Sequence, residues 1–147
     1  MKLSALFLIY AVNAMVSCIG LVLYPEFWII LYGATVDFAS AELVRLIGTL
    51  FGGLGIMTWV GRNGEPSTSR NAMVWGLVVA NGLAAAVTAW AAQSGVYNKL
   101  AWASVAIFTL FAVGFAAIGG TNNSASPVKS TRWRPVKALT TMAEAGR

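Results

Sequence analysis

Four long apolar runs, at residues 3–24, 43–61, 72–92 and 100–120, alternate with short polar breaks along this chain. None contains Asp, Glu or Lys, and Arg45, one turn inside the second run, is the sole charge among them. A hydrocarbon core of about 30 Å needs about 20 mostly apolar helical residues, so each run is long enough to span one. Unpartnered backbone amides are costly in lipid, which predicts a continuous helix over each run. The helix-breaking signals fall between the runs: Pro25, then Gly64-Glu65-Pro66-Ser67, then Ser94-Gly95. The 25–41 segment is the only irregular piece of any length between spans. Its Phe27-Trp28-Ile29-Ile30-Leu31-Tyr32 stretch is too short to cross and too apolar for a solvated loop. It predicts a short interfacial helix or a dip back between helices; an aromatic anchor is the favoured reading, a lip admitting lipid or quinone the lesser one.

Composition confirms that the runs are not the core of a soluble domain. Of 147 residues, 58% are hydrophobic and 10% charged, whereas soluble domains carry about a quarter charged residues. Ten Lys/Arg and five Asp/Glu cannot cover a globule of this size, so apolar surface must face lipid. With one cysteine and no histidine, the chain has no internal disulfide, no imidazole ligand for haem or pigment, and no His-based acid or base. An A-x-A pattern at Ala39-Ser40-Ala41 raises a signal peptide. The first apolar run is too long for an h-region and lies about fifteen residues before that pattern, so it reads as a retained span.

Charge sets the expected direction. Lys2, Arg62, Arg70, Lys129, Arg132, Arg134, Lys137 and Arg147 share one side of a four-span layout, and only Arg45 and Lys99 lie on the other. Eight against two places both termini in the cytoplasm. Trp59 and Trp75 then mark the inner interface, and Tyr24, Trp28, Trp90, Tyr97 and Trp102 the outer one. The predicted fold is all-α: an integral-membrane four-helix bundle over 1–120, N-in and C-in, followed by a polar linker and basic cytoplasmic tail over 121–147.

Lipid tails are as apolar as leucine, so helices must associate through close backbone approach and hydrogen bonds. The third span offers Gly76, Ala80, Ala84, Thr88 and Ala92 at four-residue spacing. The second offers Gly48-x-x-x-Gly52 with Gly53 and Gly55, and the fourth Ala112, Ala116 and Gly120. With short loops at 62–71 and 93–99, spans two, three and four are expected to be sequential neighbours. Flat small-residue faces suit docking of a partner equally well.

Polar groups inside spans are few. Arg45 has Glu42 three residues earlier on one helical face, and Asp37 as a second candidate partner. A capping ion pair or snorkelling outweighs an anion- or headgroup-binding arginine, because Arg45 lies near the interface. Asn13 and Asn81 lie mid-span and read as interhelical glue before ligand contacts. No line of buried carboxylates suggests a proton path. Cys18 lacks a basic neighbour in sequence and reads as a packing residue. Gly52-Gly53-x-Gly55 lacks the strand-turn-helix context of a nucleotide motif. No metal ligand set and no catalytic constellation is visible, which argues against an enzyme.

Beyond Gly120 the chain turns polar, then basic. Lys129, Arg132, Arg134 and Lys137 flank Trp133, which suits an anionic leaflet or a docking arm on a larger partner. Nucleic-acid binding needs a folded basic surface or repeated aromatic platforms, and the tail has neither.

Glu42-Leu43-Val44-Arg45-Leu46-Ile47-Gly48, the Gly-rich span after it, the Arg62–Arg70 turn, and Arg70-Asn71-Ala72 leading to Asn81-Gly82 resemble the small four-helix bacterial proteins of the DoxX-like superfamily. The resemblance covers about residues 5–120 and places Arg45 and Gly48 in the shared motif; the basic tail lies outside it. It implies a four-helix bundle in a bacterial inner membrane, in a group where some members are linked to quinone or sulfur redox chemistry. Two functions follow as expectations. The preferred one is a non-catalytic accessory subunit on a larger bacterial membrane complex, for instance a photosynthetic or respiratory one. The alternative is a small quinone- or lipid-binding redox-associated protein. No cofactor is predicted outright, while bound lipid, quinone or a pigment held without histidine fits the composition. The partners expected are membrane lipids and other membrane subunits.

Overall fold

Pro25 sets the first boundary. It has no N–H to donate and is favoured at the first turn of a helix, so α1 (Leu3–Leu23) stops two residues before it and α2 (Pro25–Leu31) begins on it. The computed structural model describes residues 2–123 and adds α3 (Phe38–Gly61), α4 (Thr68–Gln93) and α5 (Ala101–Asn123). No strand occurs among the described residues. Four of the helices, all but α2, are long and apolar enough to cross a membrane.

The helices overrun the apolar pattern where local chemistry caps them. Asp37 and Ser40 form a capping box: Ser40 N–H donates to Asp37 Oδ1 at 2.8 Å, and Asp37 N–H to Ser40 Oγ at 3.0 Å. This starts α3 five residues ahead of its apolar run. Ser67 accepts from Arg70 N–H at 3.2 Å and starts α4 at Thr68, so the polar first turn is helical too. At the end of α2, Gly33 adopts φ +79°. Gly33 N–H donates to Ile30 O and Ala34 N–H to Ile29 O, a Schellman stop that only glycine makes without strain.

Packing keeps one of the two neighbour pairs the short loops suggest, spans three and four, and departs from the other, spans two and three. α1 lies along α3, and α4 along α5, as two antiparallel pairs; α3 and α4 do not pack along one another. The glycine row of α3 explains this. A Cβ on Gly48 would lie 2.9 Å from Leu21 Cβ, one on Gly52 2.9 Å from Cys18 Sγ, and one on Gly55 2.9 Å from Met15 Sδ. That row is therefore spent on α1. α4 turns Val74, Leu77 and Asn81 inward, and these pack with Leu3, Leu6, Phe7, Tyr10 and Phe115 in the core. Tyr10 stands edge-on to Phe111 and Phe115 at 4.9 and 5.5 Å between centroids, a favoured aromatic geometry. The core thus sits at one end of the bundle, opposite α2. Outward-facing positions are large and apolar on every long helix, among them Val16, Leu50, Val60, Val79, Leu83, Val87 and Leu110, as a surface facing lipid requires.

Candidate functional site

Toward the α2 end the two helix pairs leave a cleft between them. It comprises a cavity of about 370 Å³ and an adjoining one of about 260 Å³, which share Leu21, Trp28, Tyr32, Ser104 and Phe108. The deeper cavity is lined by Asn13, Ser17 and Phe51, one turn above the aromatic core; the shallower reaches Ser40, Thr88 and Tyr97. Volumes of this size suit small-molecule sites.

α2 roofs the cleft and is pinned from both sides. Gly20 leaves room for the Trp28 ring, whose Nε1 would lie 2.8 Å from a Cβ there. On the α3 side, Glu26 pairs with Arg45 at 3.4 Å. On the other side, Asn98, in the α4–α5 turn, donates from its N–H to Tyr32 O at 2.9 Å and from Nδ2 to Leu31 O at 2.7 Å. These bonds satisfy carbonyls that the end of a helix leaves open. The hydroxyls of Tyr32 and Ser104 are hydrogen-bonded to each other, and the Tyr32 ring lies 5.5 Å from that of Tyr97.

Among the described residues, no Asp, Glu, Lys or Arg lines either cavity. The lining offers ring faces, aliphatic carbons and a few neutral hydrogen-bonding groups. The Asn13 amide, half-buried at the deep end, has no hydrogen bond among the described residues. The arrangement can hold an apolar or amphipathic molecule and orient it by neutral hydrogen bonds. It contains no nucleophile with an adjacent base, and no group of three His, Cys, Asp or Glu occurs among the described residues.

The residues singled out from the sequence are distributed as follows. Arg45 pairs with Glu42, and also with Glu26, a partner 19 residues away that no local spacing could reveal. Asp37 caps α3 and does not serve Arg45. Asn81 is buried, donating to Leu77 O at 2.8 Å and to Tyr10 OH at 3.4 Å, so it does bridge helices. Asn13 does not join it. Gly48 and Gly52 lie against α1. Gly76 and Ala80 face outward, with nothing within 4 Å of a Cβ built on Gly76, while Ala84 is half-buried. α4 turns Val74, Leu77 and Asn81 inward instead, which leaves the Gly76 and Ala80 end of the small-residue row facing outward. The tail residues Lys129, Arg132, Trp133, Arg134 and Lys137 lie outside the described residues. Sequence reasoning treated Trp28 and Tyr97 as interface markers and passed over Tyr32 as a site residue and over Asn98 altogether. The 25–41 aromatics held the signal, since a run too short to cross must cover something.

A second concavity, about 440 Å³, opens at the opposite end beside Gly61, Ser67, Arg70 and Met73. There Arg62 stacks 3.7 Å over the Trp59 ring, and Arg70 donates from Nη2 to Arg62 O at 3.2 Å.

Compared with known proteins, the chain matches no family model, no curated protein and no solved structure.

Proposed function

We propose that this chain is a multi-pass protein of a bacterial inner membrane, with both termini cytoplasmic, that works by binding a small apolar or amphipathic molecule of the bilayer in the α2-roofed cleft. The observation that carries the reading is the cleft itself: aromatic walls, neutral polar groups and a pinned roof, between four helices able to cross a membrane. The DoxX-like resemblance is consistent with a lipid or quinone as occupant. Organic extraction of the purified protein followed by mass spectrometry tests it. A lipid-soluble molecule near one per chain is expected, and its loss in Ser17→Phe, which fills the deeper cavity; extracts identical for the two proteins would refute it. The eight-to-two distribution of basic residues supports the orientation. Single-cysteine labelling at Gly64 and at Gly95 tests this, the first expected to react from the cytoplasm and the second from outside.

A second reading, the accessory subunit of a larger membrane complex, is favoured by the outward row of Gly76 and Ala80, against which no described residue packs. Small residues let a foreign helix approach closely. On this reading a gentle extract carries the chain in a larger particle by native mass, and Gly76→Leu releases it. A wild-type chain that extracts alone would dispose of the idea.

A further inference from the structure

We infer that the occupant of the cleft is an uncharged lipid whose head carries hydroxyl or carbonyl oxygens, seated head-down against Asn13 and Ser17. This rests on the cleft being a binding site, and it narrows the class of ligand.

Three observations carry it. First, the deep end holds an amide with no partner among the described residues. Asn13 and Ser17 are four residues apart on one face of α1 and both line the inner cavity, and the Asn13 amide has both its donor and its acceptor free among the described residues. An amide without a partner at mid-span is costly, and a hydroxyl or carbonyl head satisfies it. Second, among the described residues no ionised side chain lines either cavity, so a phosphate head would lie near mid-span with no counter-charge, where ions are strongly disfavoured. Third, the α2 end carries Glu26, Asp37 and Glu42 against Arg45 and Lys99. That is one more acid than base, with Arg45 already engaged by two of the acids, so the charge balance at the mouth does not favour an anion. The flat faces of Trp28 and Phe108 accept acyl or isoprenoid carbons above the head.

Native mass spectrometry of the full chain in nonionic detergent tests this, with three probes: dioleoylglycerol, decylubiquinone and dioleoylphosphatidate. The first and third share their acyl chains and differ in the phosphate; the first two separate a glyceride source from a quinone source, and preference for either supports the inference. One neutral probe is expected to give a one-to-one adduct at a concentration at least about tenfold below that needed for phosphatidate. Asn13→Leu, which suits a membrane span, should weaken it about fivefold to tenfold, the value of one or two neutral hydrogen bonds, and the outward-facing Ala80→Leu should leave it unchanged. Phosphatidate binding as tightly as the neutral probes, with all three lost in Ser17→Phe, overturns the charge inference and leaves the cleft standing. Binding of every probe that ignores both Asn13→Leu and Ser17→Phe overturns the cleft reading itself. Helical circular dichroism of each variant confirms that loss of binding is not loss of fold.

Discussion

Replacing the glycines one at a time with alanine probes the helix pairing most directly, because the same methyl group meets very different surroundings. At Gly48 the added Cβ would lie 2.9 Å from Leu21 Cβ and from Val22 Cγ2, and 3.2 Å from the Val22 backbone nitrogen. None of these atoms is the end of a flexible chain, so α1 and α3 must separate by about half an ångström or more to restore ordinary contact. Overpacking of this kind costs about 1–3 kcal/mol, and between membrane helices no hydrophobic driving force offsets the poorer packing. At Gly52 and Gly55 the clash is with Cys18 Sγ and Met15 Sδ, each at 2.9 Å. A thiol rotates about one bond and a thioether about several, so about 1 kcal/mol or less is expected. At Gly53 and Gly76 the methyl meets nothing within 4 Å, and the gain in helix propensity leaves the protein unchanged or slightly more stable. Unfolding of the purified chain in mixed micelles, followed by far-ultraviolet circular dichroism against the fraction of denaturing detergent, measures the order. Gly48→Ala is expected to fall well below Gly52→Ala and Gly55→Ala, with Gly53→Ala and Gly76→Ala at or above wild type. Equal values for Gly48→Ala and Gly76→Ala would refute the pairing of α1 with α3.

Three further outcomes follow from single contacts. Asn98→Ala removes the Nδ2 bond to Leu31 O and the Oδ1 acceptor of Leu100 N–H; a loss of about 1–2 kcal/mol is expected, with hydrogen exchange rising in α2 before the long helices. Asn81→Leu should cost about 0.6 kcal/mol and no more than about 2, while Tyr10→Phe, which removes only the 3.4 Å partner, should cost less; a larger effect for Tyr10→Phe in the same micelle titration would contradict the assignment. Glu26→Gln breaks an ion pair whose side chains are 39% and 51% exposed, so its effect on stability is expected to stay below about 1 kcal/mol and to vanish at high salt.

The four long helices were legible because each is long and apolar enough to cross a membrane, a property that length and hydropathy alone define. Their ends were not, because Asp37–Ser40 and Ser67 extend α3 and α4 into polar sequence by side-chain bonds that hydropathy does not register. Partner choice was misread for a related reason. Small-residue rows on α3 and α4 look alike in sequence, and only the shape opposite each one decides its use: Leu21, Cys18 and Met15 of α1 meet the α3 row, and nothing among the described residues meets Gly76. Asn13 and Asn81 show the same limit, since two mid-span amides of equal chemistry have one partnered fate and one open one.

The cleft itself follows from where bulk is placed along the helices. At the end opposite α2, Phe7, Tyr10, Phe111 and Phe115 interlock and draw α1 against α5. One to two turns further toward α2, α1 and α5 turn Asn13, Ser17 and Ser104 into the space between them, and these small side chains leave it open beside Leu21 and Phe108. α1 cannot lean across to close it, because Gly48, Gly52 and Gly55 hold its other side close against α3. The gap therefore persists, and a segment too short to span the bilayer lies over it, fastened by Asn98 and Arg45. Filling the gap from within separates this account from one in which the pairs are held apart by α2. Ser17→Leu, at a hydroxyl with no hydrogen bond among the described residues, should tighten α1 against α5 and raise stability even when Asn98→Ala has loosened the roof, by about 1 kcal/mol for the apolar surface newly packed. If the gain disappears in the Asn98→Ala background, the roof and not the spacing of side chains keeps the cleft open.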